Sequence, residues 1–170
     1  RSHGVYVDAV PPRAGRVFDG GSAGVDAEWH ASTESLTASW SGFEDTHSGI
    51  AWMEMAIGLS ECATDVHAYA EVGDGTGVGH LYELSLTSGV RYFVSVRAVD
   101  RAGNAVEACT DGVVVDASPP TAGVVTLEGR SNHTDGLVYA PSLSDEILAW
   151  TGFADTESEV ERFEVGIGSI

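Results

Sequence analysis

The sequence contains no lysine. Its 8 basic residues are all arginine, set against 26 aspartates and glutamates, and the net charge is −18. Such a chain has no clustered cations with which to hold phosphates, so nucleic acids and anionic membrane surfaces are excluded as partners. Long apolar runs are missing too: none exceeds about five residues, against the ~20 that a membrane-spanning helix needs. Proline is limited to five residues and cysteine to two. The absence of lysine also disarms the one glycine-rich stretch, GDGTGVG (73–79). A phosphate-binding loop needs a lysine, a following Ser or Thr, and a helix, so this stretch reads as a surface connection. The six histidines never recur at a metal-ligand spacing such as H-x-x-x-H. No nucleophile elbow is present, and acidic pairs such as Glu44-Asp45 read as solvated loop residues. Nothing points to an enzyme. Disorder is excluded as well, because 43% of the residues are hydrophobic and can build a core.

What the chain does have is an internal repeat. VDAVPP (7–12) returns as VDASPP (115–120), 108 positions on. HGVYVD (3–8) matches DGVVVD (111–116) at the same spacing. SWSGFEDTHSGI (39–50) then matches AWTGFADTESEV (149–160), and EMAIG (54–58) matches EVGIG (164–168), both at a spacing of 110. The two extra residues fall in a stretch rich in Gly, Ser and Asp, which reads as a surface loop. A period of this size is that of a small domain rather than of a solenoid unit. The register predicts the last strand of a preceding repeat in 1–8, a complete domain in 9–116, and the first half of the next repeat, its first three strands, in 117–170. The chain therefore reads as a window onto a longer protein, with exchange of strands between neighbouring subunits as the alternative.

The apolar residues alternate at period two, which predicts strands. Leu36, Ala38 and Trp40 alternate in SLTASW. Met53, Met55 and Ile57 alternate in AWMEMAIG, Leu84 and Leu86 in YELSL, and Tyr92, Val94, Val96 and Ala98 in RYFVSVRAV. Val113 and Val115 close the domain. Turn signals separate these segments, and about seven short strands at such intervals predict an all-β sandwich. The expected core is Leu36, Trp40, Tyr92, Val94 and Val96, with Trp150 as the counterpart of Trp40 in the second copy.

Three phrases carry a resemblance: Leu36-x-Ala38-x-Trp40, Leu86-x-x-Gly89-x-x-Tyr92-x-Val94-x-Val96, and Asp100-x-x-Gly103-Asn104. Together they resemble a fibronectin type III repeat, over all of 9–116 and more faintly over 117–170. The resemblance implies an immunoglobulin-like sandwich. It implies Trp40 in the core on the second strand, and a Tyr92 hydroxyl that caps backbone at a corner. The SWSGF-x-D-x-x-SGI phrasing is similar to tandem repeats in large extracellular proteins. No RGD tripeptide is present to support integrin binding of the kind this family offers.

The repeated VDxxPP falls where one domain gives way to the next. Pro11 with Pro12, and Pro119 with Pro120, fix φ and restrict the preceding residue, which predicts a stiff, extended joint. Acidic residues around the second joint, Asp116, Asp155 and Glu157, could together hold a structural Ca²⁺; ordinary solvated carboxylates are the alternative. No other cofactor is expected. Cys62 and Cys109 predict a disulfide and hence an oxidising compartment, two buried thiols being the alternative. Asn132-His133-Thr134 is an N-glycosylation sequon in an exposed segment.

These features lead to one expected function. The chain reads as a structural module of an extracellular rod, filament or cell-surface appendage, with neighbouring repeats and other copies in a filament as its partners. The ectodomain of a receptor or cell-adhesion protein is the second reading, and a spacer attached to an enzyme the third.

Overall fold

The computed structural model describes residues 4–22, 24–73, 77–127 and 148–166. The described residues form strands and turns, with no helix among them. Contacts divide the chain into two units, Arg1–Ala117 and Ser118–Ile170.

The first unit holds β1 (Arg16–Asp19), β2 (Trp29–His30), β3 (Leu36–Ser41), β4 (Ile50–Gly58), β5 (His67–Gly73), β6 (Val78–Leu81), β7 (Arg91–Asp100), β8 (Ala105–Cys109) and β9 (Val113–Val115). One sheet runs β1-β3-β6, and the other runs β2-β9-β7-β4-β5 with β8 also paired to β7. Two sheets sharing one core is the arrangement of a β-sandwich. The alternation read from the sequence decides which side chains enter that core. Leu36, Ala38 and Trp40 of β3 are buried, as are Met53, Met55 and Ile57 of β4 and Tyr92, Val94, Val96 and Ala98 of β7. They form one cluster with Leu81, Leu84, Leu86, Val113 and Val115. Each full burial of a Leu, Ile, Val or Met contributes roughly 1.5–3 kcal/mol.

Cys62, in the turn after β4, is disulfide-bonded to Cys109 at the end of β8, with Cα atoms 5.5 Å apart and 47 positions between them in sequence. Closing a loop of that length removes roughly 4 kcal/mol of unfolded-chain entropy in the loop-closure account.

The first and last strands of the unit are both interrupted. After β1 the chain leaves the β1-β3-β6 sheet and crosses to the other, where β2 runs parallel to β9 (Trp29 opposite Val114, His30 opposite Val115). The last strand breaks at Thr110–Gly112 into β8 and β9, with Gly112 at φ 94. Thr110 bridges the break: its N–H donates to Val94 O at 2.9 Å, and its hydroxyl accepts from Val94 N at 3.0 Å.

Three expected strands are not found among the described residues. Residues 82–86 are buried at Leu84 and Leu86 but form no strand, because Glu83 takes φ 58 and breaks the extended path. Their backbone bonds go instead to the loop before β3, Leu84 N–H to Glu34 O and Leu86 N–H to Thr33 O. Residues 4–8 pair with nothing in a ladder, and Val5, Tyr6 and Val7 are exposed. A strand exists only where a neighbour supplies the other half of its hydrogen bonds.

The second unit contains β10 (Val124–Leu127) and β11 (Leu148–Thr151), paired antiparallel. The expected third strand is absent over 159–166. Trp150 was expected in a core but is 43% exposed. Its ring packs against Phe163 at 5.4 Å, and β10 and β11 form a two-stranded sheet of their own.

The two units repeat the same local construction. In the first, Arg16 lies opposite Ser41 and Asp19 opposite Ala38; in the second, Val124 lies opposite Thr151 and Leu127 opposite Leu148. Each pair is preceded by an isolated bridge, Arg13 to Glu44 and Thr121 to Ala154. Gly42 and Gly152 take φ 78 and 79, so that the chain turns sharply after the inner strand. Gly15 and Gly123 sit where a Cβ would strike the backbone of that turn, 2.2 Å from Ser41 O and 2.3 Å from Thr151 O respectively.

Candidate cation sites

The β3–β4 loop, GFEDTHSG, is held by one side chain. Asp45 Oδ1 accepts from the backbone N–H groups of His47, Ser48 and Gly49, at 3.1, 2.7 and 2.6 Å. The second unit builds the same loop: Asp155 Oδ1 accepts from Glu157 N and Ser158 N, at 3.0 and 2.9 Å. In both, the aspartate takes up donors that the sharp turn leaves unpaired.

Asp100, at the end of β7, organises the turn that follows. It is fully buried, and its Oδ1 accepts from Ala102 N and Asn104 N while Oδ2 accepts from Asn104 Nδ2. Burial alone would raise its pKa, but these donors outweigh it and hold the carboxyl below the usual range. Asn104 also reaches the Asp8 carbonyl at 3.3 Å. Asp8, Asp45 and Asp100 each place one carboxylate oxygen within 4.8 Å of the others.

A second carboxylate cluster lies where the first and last strands are interrupted. It comprises Asp19 at the end of β1, Asp26 in the crossing to β2, and Asp111 in the break between β8 and β9, again with oxygens within 4.8 Å of one another. Asp19 N–H donates to Asp26 Oδ1 at 2.8 Å, and Gly112 N–H donates to Asp19 Oδ2 at 3.2 Å. Asp19 is 0% exposed, whereas Asp26 and Asp111 are exposed. Burial pushes the Asp19 carboxyl up to about 7, and the negative charges of Asp26 and Asp111 act in the same sense. The Thr110 hydroxyl and the Gly112 N–H oppose this rise, yet Asp19 Oδ1 has no hydrogen-bond partner among the described residues.

The outer face of the β7 sheet carries a polar network. Arg97 bonds Glu54 Oε2 through Nε, at 2.6 Å, and lies over the Tyr69 ring, 4.0 Å from its centroid. Tyr69 Oη donates to Glu107 Oε2 at 2.7 Å. Burial, then the Glu107 carboxylate, pushes the Tyr69 phenol up to about 12.

Of the residues read from the sequence as calcium ligands, Asp116 belongs to the first unit, where its N–H donates to His30 O at 2.8 Å. Asp155 and Glu157 belong to the second, in the loop just described. By the repeat register their counterparts in the first unit are Asp8, Asp45 and His47. Of these, Asp8 and Asp45 come together, and the third carboxylate is Asp100, which the sequence reading placed only in a turn motif. Pro12 is buried, while Pro11, Pro119 and Pro120 are exposed. Asn132 lies outside the described residues.

The Asp19 cluster was missed. The available signal was a mismatch between the copies, RVFD (16–19) against VVTL (124–127), with an aspartate in a slot that the other copy fills with leucine. No protein-family model matches the chain, and no curated protein matches it.

Proposed function

We propose that the chain is a structural, non-catalytic segment of an extracellular rod, filament or cell-surface appendage, built from tandem sandwich modules of the fibronectin type III kind on stiff proline joints. The observation that carries this reading is the duplicated construction: the β1–β3 and β10–β11 pairs share register, isolated bridge and glycine placement. A chain that repeats a module at a fixed spacing generates a regular axial object, whereas catalysis requires one unique constellation. The Tyr92 hydroxyl, bonded to backbone five residues upstream, supports the immunoglobulin-like assignment. The Cys62–Cys109 disulfide supports an oxidising, extracellular setting.

Electron microscopy of the native material tests the proposal. Strands of about nine residues at ~3.3 Å rise give modules roughly 30–40 Å long, so filaments with an axial repeat of that order are expected. Isolated or short membrane-attached particles would overturn the filament and favour a receptor ectodomain.

A further inference from the structure

We propose that Asp19, Asp26 and Asp111 form a binding site for a hard divalent cation, of which calcium is the best fit. The proposal does not depend on the reading of the chain as a rod. It begins with geometry. Calcium binds oxygens at about 2.3–2.6 Å, so two oxygens on one ion lie at most roughly 5 Å apart. The three carboxylates meet that condition, with oxygens within 4.8 Å of one another.

The second observation is Asp19 itself. Its side chain is fully buried and its Oδ1 lacks a hydrogen-bond partner among the described residues. A buried carboxylate with an empty acceptor is costly unless a cation or a donor meets it. No arginine does so among the described ion pairs. Arg91, the basic side chain beside the break, is committed to Gly112 O and, at 3.9 Å, to Glu28.

The third observation comes from the other copy. Asp19 lies opposite Ala38 in the same ladder position in which Leu127 lies opposite Leu148. The strand itself therefore does not require a carboxylate at this place. A buried carboxyl kept in a slot open to leucine costs stability, and cation binding offsets that cost.

The donor set fixes the class of ion. Three carboxylates with no imidazole or thiolate favour hard cations. Asp26 and Asp111 are exposed, which leaves the remaining positions to water. Calcium accepts such an irregular, partly hydrated shell of six to eight oxygens, whereas magnesium demands a near-octahedral one. A bound ion would tie the end of β1, the crossing loop and the break before β9 to a single point.

The test is calorimetric titration of the calcium-stripped 170-residue chain with CaCl₂, and in parallel with MgCl₂. It uses the wild type, Asp19→Leu, and the double variant Asp26→Asn with Asp111→Asn. The expected result is a submillimolar calcium isotherm that weakens at least tenfold in both variants, with magnesium binding weaker throughout. The double variant alters only exposed side chains, so it keeps the test valid if Asp19→Leu misfolds. An unchanged calcium isotherm in the double variant would place the ion elsewhere, for example on Asp8, Asp45 and Asp100, and overturn the proposal. So would the absence of calcium binding by the wild type. Equal affinity for magnesium would overturn the assignment to calcium.

Discussion

The Tyr92 hydroxyl accepts a hydrogen bond from the Thr87 backbone N–H at 2.9 Å, across the corner that leads into β7. Tyr92 is 5% exposed, so its ring fills the core while its oxygen serves the corner. Tyr92→Phe keeps the ring and removes the oxygen. The expected loss is about 1–3 kcal/mol, the cost of leaving a part-buried donor without its partner. Urea unfolding with an unchanged m-value checks it; a loss below the error of the measurement would mean that water replaces the hydroxyl.

Removing the Cys62–Cys109 bridge restores freedom to the unfolded chain without taking apolar surface from the core. The Cys62→Ala, Cys109→Ala double variant is expected to retain its β-type circular dichroism and to lose about 4 kcal/mol. Treating the wild type with reductant should shift its melting temperature down to a similar degree. A much smaller shift would mean that the reduced, unfolded chain remains compact.

Two ion pairs differ in setting and should differ in worth. Arg97–Glu54 is at 2.6 Å with side chains 36% and 19% exposed, and Arg97 also covers Tyr69. Arg13–Glu44 is at 3.5 Å with side chains 74% and 61% exposed. Double-mutant cycles should give a coupling of about 1 kcal/mol or more for the first and roughly 0–0.5 kcal/mol for the second. Equal couplings would show that burial and the Tyr69 face add nothing.

Asp19 predicts a pH dependence in calcium-free buffer. Its ordinary value is 3.8 and its value in the fold is about 7. Between these two values the unfolded chain ionises while the folded carboxyl stays protonated, so the unfolded state binds fewer protons and stability falls as pH rises. The fall should level off above about pH 7. Asp19→Asn should flatten that part of the profile, measured as the denaturant midpoint at half-unit steps from pH 4 to 8. An identical slope in the variant would assign the dependence to other groups.

The core was legible because it obeys one rule. Leu36, Ala38 and Trp40, and Tyr92, Val94, Val96 and Ala98, alternate at the strand period, and all of them are buried. The same rule misled at Leu84 and Leu86, which alternate and are buried, but both follow a left-handed residue, Glu83, that periodicity cannot register. It misled again at Trp150, whose pattern matches Trp40 but whose burial depends on a facing layer. The two-residue β2 is too short for any pattern. The acidic clusters were half legible. Asp45 and Asp155 stand in the repeated loop motif, but the partnership of Asp8 with Asp100 joins residues far apart in the chain. Asp19 was open to notice only as an exception to the repeat.

The parallel pairing of β2 with β9 governs how the first unit would respond to tension. Suppose the chain is pulled between a point before β2 and a point after β9. The two strands run in the same direction, so the forces on them act along the strands and in opposite senses. The bonds Val114 N–H to Glu28 O and Asp116 N–H to His30 O, at 3.0 and 2.8 Å, are then loaded together in shear rather than opened one after another like a zip. A pair of residues too small to count as a strand by any sequence pattern thus stands in the path of the load.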